Sequence, residues 1–237
     1  MEDILDQQVE QVKSKAEVKD FFVGVYTYMF VALIFSGLVS WYLASSGLFY
    51  KWFVTAEGIS PLFYVAVFAP IGLVLLIQSQ YQKFSMPVLL LLYIVYAGLI
   101  GTSLSTIFFV YDMGQLGSTF LITAGAFGAM AILGYTTSVD LSKMGSLLYM
   151  AFIGIFIAAI VNFFIGSSML AYLISFIGVF VFTGLTAWEM QKLKAIAHDP
   201  NLSGEARAKR SLIGGLMLYI LFVNLFLSLL HLLGGRD

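Results

Sequence analysis

Residues 144–190 read MGSLLYMAFIGIFIAAIVNFFIGSSMLAYLISFIGVFVFTGLTAWEM. Two apolar runs, 144–165 and 169–190, are divided only by the turn Gly166-Ser167-Ser168, and Glu189 is the only charged residue in the stretch. A helix needs about 20 apolar residues to cross the ~30 Å hydrocarbon core of a bilayer. The stretch therefore predicts two membrane-spanning helices, with a carboxylate close to the end of the second.

The rest of the chain follows the same pattern. Of its 237 residues, 60% are hydrophobic and 11% are charged, and the mean hydropathy is +0.96. Soluble domains carry about 25% charged residues. We therefore predict an all-α integral membrane protein with seven transmembrane helices. The predicted spans are residues 21–43, 61–79, 87–110, 116–139, 144–165, 169–190 and 212–233.

The distribution of charge predicts the orientation of these spans. Residues 1–20 are polar and lack the basic start and short apolar core of a secretory signal, so we expect a cytosolic N-terminal tail before a membrane domain at 21–235. With that tail inside, ten of the twelve lysines and arginines lie on the cytoplasmic side, leaving Lys51 and Arg236 outside. Positively charged loops stay in the cytoplasm. The pattern predicts a cytoplasmic N-terminus and an extracytoplasmic C-terminus.

The scarcity of charge in the spans excludes several classes of membrane protein. Retinal proteins need a lysine within a span, and no predicted span contains one. Intramembrane zinc and serine proteases need paired histidines or a Ser–His pair, but the only histidines are His198 in a connection and His231 near the chain end. Cysteine is absent, which excludes disulfides and thiolate chemistry. We expect no enzyme activity, no cofactor and no nucleic-acid partner.

Small and polar residues within the spans are predicted to hold the helices together. An amide in lipid needs a hydrogen-bond partner, so we expect Asn162 and Asn224 to bond neighbouring helices, with a part in ion handling as the alternative. Gly98 and Gly101 in the third span and the small residues among 124–129 in the fourth suit close helix packing.

Four stretches of the sequence resemble one known family. They are FVGVYTYMFVALIFSGLVSWYLA (22–44), TFLITAGAFGAMAILGYTTSVDLSKMGSLLYMAFIGIFIAAIVNFF (119–164), IGVFVFTGLTAWEMQKLK (177–194) and LMLYILFVNLFLSLLHLLGG (216–235). Together they resemble the Bax inhibitor-1 family in its bacterial form. The resemblance implies a seven-helix fold in which the seventh helix is central and wrapped by the other six. It also implies a bacterial inner-membrane location and a role in cell survival and stress response.

Some members of this family act as pH-sensitive calcium leaks, which the resemblance makes an expectation for this chain. In those members a YDTQ motif ends the sixth helix, and the aspartate of LYLDFINLF in the seventh shares protons with it. This chain has WEMQ and LYILFVNLF at the two places. Glu189 therefore replaces the first aspartate, Leu221 stands where the second acid is missing, and Gln191 and Asn224 are kept.

The sequence leaves two interpretations of Glu189 open. The acid can be a solvated helix end that pairs with Lys192, three residues along the same face, or it can turn inward toward the central helix. The family position favours the second interpretation. We predict that Glu189 faces the seventh helix near Leu221 and Asn224.

Two functions follow as hypotheses. The first is a weak, pH-modulated calcium or cation leak in which Glu189, Gln191 and Asn224 line the path and sense pH. Glu189 is then a weak calcium ligand at the cytoplasmic mouth, and calcium is the transported ion. The second is a non-conducting regulator of cell survival or membrane-protein quality control. Its membrane partners, such as a quality-control protease, would bind residues 1–20 and the basic loop predicted at 191–211.

Overall fold

The computed structural model describes residues 2–202 and 204–234, with side chains from residue 15 onward. Its elements, in chain order, are α1 Glu2–Ser45, α2 Leu48–Phe53, β1 Val54–Thr55, β2 Gly58–Ile59, α3 Pro61–Gln80, α4 Met86–Leu104, a 3-10 helix Ser105–Phe109, α5 Met113–Thr136, α6 Ser142–Ile165, α7 Ser168–Ala197 and α8 Gly204–Leu233. The two short strands pair as an antiparallel hairpin.

The prediction of an all-α membrane protein with seven spanning helices is confirmed. In the described part of the chain seven helices are long and apolar enough to cross a membrane: all but α2, with α4 continuing into the 3-10 helix. In the apolar segment of α8 half of the residues are buried, the largest share among the seven spans, whereas none are buried in the apolar segment of α6. That the other six helices wrap α8 stays a prediction.

The structure corrects the predicted basic loop at 191–211. Helix α7 continues through its lysines to Ala197, and α8 begins at Gly204, so the connection shrinks to residues 198–203. The N-terminal tail belongs to the same continuous helix as the first span. Charged residues extend a helix as readily as apolar ones once it leaves the membrane, because lysine and glutamate are good helix formers.

Local signals explain where the spans begin. Pro61 and Pro87 lie in the first turns of α3 and α4, where a missing N–H leaves no bond unmade. Helix α5 begins at a capping box. The Asp112 carboxylate accepts from the Gln115 backbone N–H at 2.9 Å, and the Gln115 side chain accepts from the Asp112 N–H at 3.2 Å.

The chain forms two compact units. The first comprises Met1–Val110 and Ala197–Leu216. In it α1 packs along α4 and the 3-10 helix, and α3 packs on α4. The Tyr93 hydroxyl donates to the Tyr28 carbonyl at 3.0 Å. Ser211, near the start of α8, donates to the Phe21 carbonyl at 2.9 Å, so this part of α8 lies against α1.

The second unit comprises Tyr111–Ile196 and Met217–Asp237, and in it α7 contacts three other helices. Gly134 of α5 lies directly on the backbone of Ala187, and Gly145 of α6 lies on the ring of Trp188; neither glycine leaves room for a Cβ. Toward the other end of α7, a Cβ at Gly178 would come within 2.6 Å of the Ser228 hydroxyl of α8. Ala187 and Trp188, which precede Glu189 on α7, are thus held by close contact with glycines of α5 and α6.

The small residues predicted to mediate helix packing divide into two groups. Gly101 behaves as predicted, because a Cβ there would come within 2.6 Å of the Ser36 carbonyl of α1. The prediction is wrong for Gly125 and Gly128, where a Cβ would meet no atom of another helix within 4 Å among the described residues. Ala124 and Ala129 are exposed, and Gly134 makes the close contact of α5 instead.

Candidate functional site

Glu189 lies inside the protein. The residue is only 2% exposed, and its neighbours Ala187, Met190 and Leu193 on α7 are equally buried. A carboxylate in such a position has lost nearly all of its water and needs a partner to stay charged. The structure therefore places an ionisable group in the interior near the end of a membrane-spanning helix.

The partner is Lys192, on the next turn of the same helix. Its ammonium lies 2.7 Å from the Glu189 Oε2 atom, and the lysine side chain is 43% exposed whereas the glutamate side chain is 3% exposed. The ammonium also lies over the ring of Trp188, 5.1 Å from its centroid. Elements of both predicted interpretations are present together: the acid pairs with Lys192, and it is buried rather than solvated.

Gln191 has a structural task that the sequence did not indicate. Its side-chain oxygen accepts from the Leu141 backbone N–H, and its side-chain nitrogen donates to the Val139 carbonyl, both at 2.8 Å. The Lys194 ammonium donates to the Tyr135 carbonyl at 2.8 Å. The side chains of Gln191 and Lys194 therefore attach the end of α7 to the turn between α5 and α6 and to the last turn of α5.

The asparagines correct a prediction. Asn224 donates from Nδ2 to the carbonyl of Ile220, one turn earlier in α8, and Asn162 accepts from the Ser167 backbone N–H in the α6–α7 turn at 3.0 Å. Each amide satisfies local backbone instead of a neighbouring helix. Serine, threonine and asparagine side chains often compete in this way for nearby backbone groups.

The predicted site residues are thus not joined in one hydrogen-bond network. Within the described residues no hydrogen bond links Glu189 to Gln191 or Asn224; Leu221, at the place of the missing acid, is buried. An approach of Glu189 to Leu221 and Asn224 stays a prediction. The described residues contain no cluster of three His, Asp or Glu side chains that could hold a metal ion.

One acid beside this region has a shifted pKa. Asp140, in the turn that Gln191 fastens, is exposed, and hydrogen bonds from the Ser142 side chain and backbone hold its pKa below the ordinary value, with a smaller contribution from Lys143. The Ser142 N–H donates to the Asp140 carboxylate at 2.9 Å. The ionised form of Asp140 is therefore the one that stabilises the start of α6.

Comparison with known proteins identifies one matching family profile and three similar chains. The family profile described as Inhibitor of apoptosis-promoting Bax1 matches residues 18–237. Inner membrane protein YbhL of Escherichia coli K12 is 39% identical over 227 residues, which cover 95% of each chain. A protein of Borreliella burgdorferi is 37% identical over 95% of this chain and 97% of its own, and RP147 of Rickettsia prowazekii is 36% identical over 92% and 91%.

Proposed function

The chain belongs to the Bax inhibitor-1 family, and from this premise we propose that it is a multi-pass inner-membrane protein that lets cations, calcium in particular, leak slowly across the bilayer. Glu189 stands at the cytoplasmic mouth of the path. The inner-membrane location rests on the seven spanning helices and on the similarity to the inner-membrane protein of Escherichia coli.

The observation that carries this proposal is the buried carboxylate of Glu189. Ionisable side chains are rare in membrane-spanning helices because burying them is costly, and those that persist commonly serve ion or proton transport. This acid also stands at the family's acidic position. Burial and family position together favour a transport role over a purely structural one.

Lys192 supplies the closed state in this proposal. Its ammonium forms an ion pair with the Glu189 carboxylate, at the place where a passing cation would bind. Because the lysine side chain is half-exposed, it can move into water and release the carboxylate. Calcium prefers six to eight oxygen ligands, of which carboxylates provide the charge. A single glutamate gives a thin coordination shell, so cations bind weakly and pass slowly.

The response to pH is expected to be shallow. Two carboxylates close together in a low dielectric titrate as a coupled pair that holds one proton to unusually high pH. Leu221 replaces the second acid of that pair, which removes the repulsion between like charges. Protons therefore modulate the leak less than in relatives that carry both acids.

Calcium uptake into liposomes that contain a trapped calcium dye tests the proposal. The native protein should admit calcium faster than protein-free vesicles, and Glu189→Gln should reduce uptake to the protein-free level. Glu205→Gln is the matched control, since Glu205 is an exposed acid that is also paired with a lysine, Lys209; it should leave uptake unchanged. Native uptake equal to that of protein-free vesicles at every pH would refute conduction.

A non-conducting regulator is the second candidate, and one contact favours it. Arg207 pairs with Glu17 at 3.1 Å and donates to the carbonyls of Ala197 and Leu202. This joins the N-terminal part of α1 to the connection between α7 and α8, which forms a structured polar surface suited to a protein partner. Absence of flux, together with failure of the Arg207→Met variant to complement cells that lack the native protein, would favour this function.

A further inference from the structure

The segment between α1 and α3 presents two opposite faces. Helix α2 buries Phe49 and Phe53, one turn apart, and exposes Tyr50, Lys51 and Trp52. The exposed fraction of Trp52 is 50%. The half-exposed indole of Trp52 combines an apolar ring, which favours an apolar environment, with a polar N–H, which needs a hydrogen-bond partner.

The buried face fixes this segment firmly to its own unit. Phe49 packs against Phe63 of α3 and Phe109 of the 3-10 helix, with ring centroids 5.7 and 5.1 Å apart, and Phe53 packs on Phe63 at 5.8 Å. After the hairpin, Ser60 donates from its backbone N–H to the Phe53 carbonyl and from its hydroxyl to the Trp52 carbonyl. The orientation of the exposed rings is therefore set by the fold.

More amphipathic rings lie on the helix ends that precede and follow the α2 segment in the chain. Trp41 and Tyr42 are exposed in the last turns of α1, and Tyr64 is exposed in the first turn of α3. Both helices are membrane spans, and their exposed aliphatic side chains, such as Leu38 and Val65, lie directly beyond these rings along the helices. The aromatic surface is thus continuous with the lipid-facing surface of the spans.

We propose that α2 and the β1–β2 hairpin lie within the membrane interface, where the rings of Trp41, Tyr42, Tyr50, Trp52 and Tyr64 occupy the boundary between headgroups and acyl chains. Tryptophan and tyrosine concentrate at that depth because it accommodates both the apolar ring and its polar group. Lys51 extends its alkyl stem past the rings and brings its ammonium to the lipid phosphates. The segment sets the depth of the first two spans in the bilayer.

Tryptophan fluorescence tests this assignment, because the chain has only three tryptophans. A protein with Trp41→Phe and Trp188→Phe retains Trp52 alone. In liposomes, its emission should be quenched strongly by lipids brominated high on the acyl chain, less by lipids brominated near the chain end, and little by aqueous iodide. Quenching by iodide without quenching by brominated lipid would overturn the proposal, since it would place α2 in water.

Absence of quenching by either reagent would also overturn it, because the ring would then be covered by protein. Trp188 packs on Gly145, so its replacement could disturb folding. The difference in emission between the native protein and Trp52→Phe gives the same information with Trp188 in place. In that pair the lipid-quenchable part of the emission should fall in Trp52→Phe.

Discussion

Replacing Lys192 with methionine should destabilise the protein far more than an ordinary surface change. The Glu189 side chain is 3% exposed, and Lys192 supplies its only salt bridge among the described residues, at 2.7 Å. Methionine retains the length and most of the apolar volume of lysine, so the main loss is the charge that compensates the carboxylate. Leaving a buried polar group unsatisfied costs about 1–3 kcal/mol, and more for a charged one.

Breaking a fully buried ion pair costs ~3–5 kcal/mol. The cost should be lower here, because Lys192 is half-exposed and water can reach the carboxylate through the space that the ammonium leaves. We therefore expect a loss of about 1–3 kcal/mol in the free energy of unfolding. In a chain of this size about 1 kcal/mol shifts the Tm by roughly 2–4 °C, so the Tm in detergent should fall by several degrees.

A double-mutant cycle separates the pair from other effects. Glu189→Gln removes the buried charge itself and leaves a lysine that can reach water, so it should cost less than Lys192→Met. The double variant should resemble Glu189→Gln alone. Lys83→Met is the control, since Lys83 is exposed in the α3–α4 turn, and it should change the Tm little. Equal small shifts for Lys192→Met and Lys83→Met would refute the reasoning that Glu189 is charged and held by Lys192.

Three further predictions concern the surroundings of this pair. Leu221→Asp should steepen the pH response of calcium flux in liposomes by restoring the second acid, at an insertion cost of roughly 2.5–3.5 kcal/mol, and adding Glu189→Gln should abolish that steepness. Gln191→Leu should increase hydrogen exchange in the α5–α6 turn, because two backbone groups lose their partners at about 1 kcal/mol each; unchanged exchange would contradict the fastening role. At pH values above the ordinary aspartate pKa of 3.8, ionised Asp140 should stabilise the α5–α6 turn. This stabilisation should be lost as the pH falls through the lowered pKa of Asp140 in the folded protein. Unfolding curves of Asp140→Asn and the native protein should therefore differ at neutral pH and converge in strong acid.

Hydropathy alone could predict the spans, because the bilayer selects long apolar runs irrespective of their neighbours. It could not find the continuation of α7 to Ala197, since lysines beyond a span are equally compatible with helix or loop. Nor could it distinguish Gly134 from Gly125: both suit close packing, and only the direction in which α5 is turned decides which one meets another helix.

The site was predictable to a similar degree. An acid at the end of an apolar run identified Glu189, and its spacing to Lys192 indicated the ion pair that the structure contains. The bonds of Gln191 join residues about fifty positions apart, and no local pattern carries that information. Asn224 was predicted to reach another helix, but a carbonyl one turn away in its own helix offered a nearer partner.

The central claim is that the Glu189 carboxylate controls cation passage. The most direct measurement is calcium flux into liposomes over a pH series, for the native protein and for Glu189→Gln in parallel. We predict a slow native flux that changes gradually with pH, and no flux above that of protein-free vesicles in Glu189→Gln at any pH. Strong pH gating in the native protein that survives Glu189→Gln would contradict both the site and the mechanism.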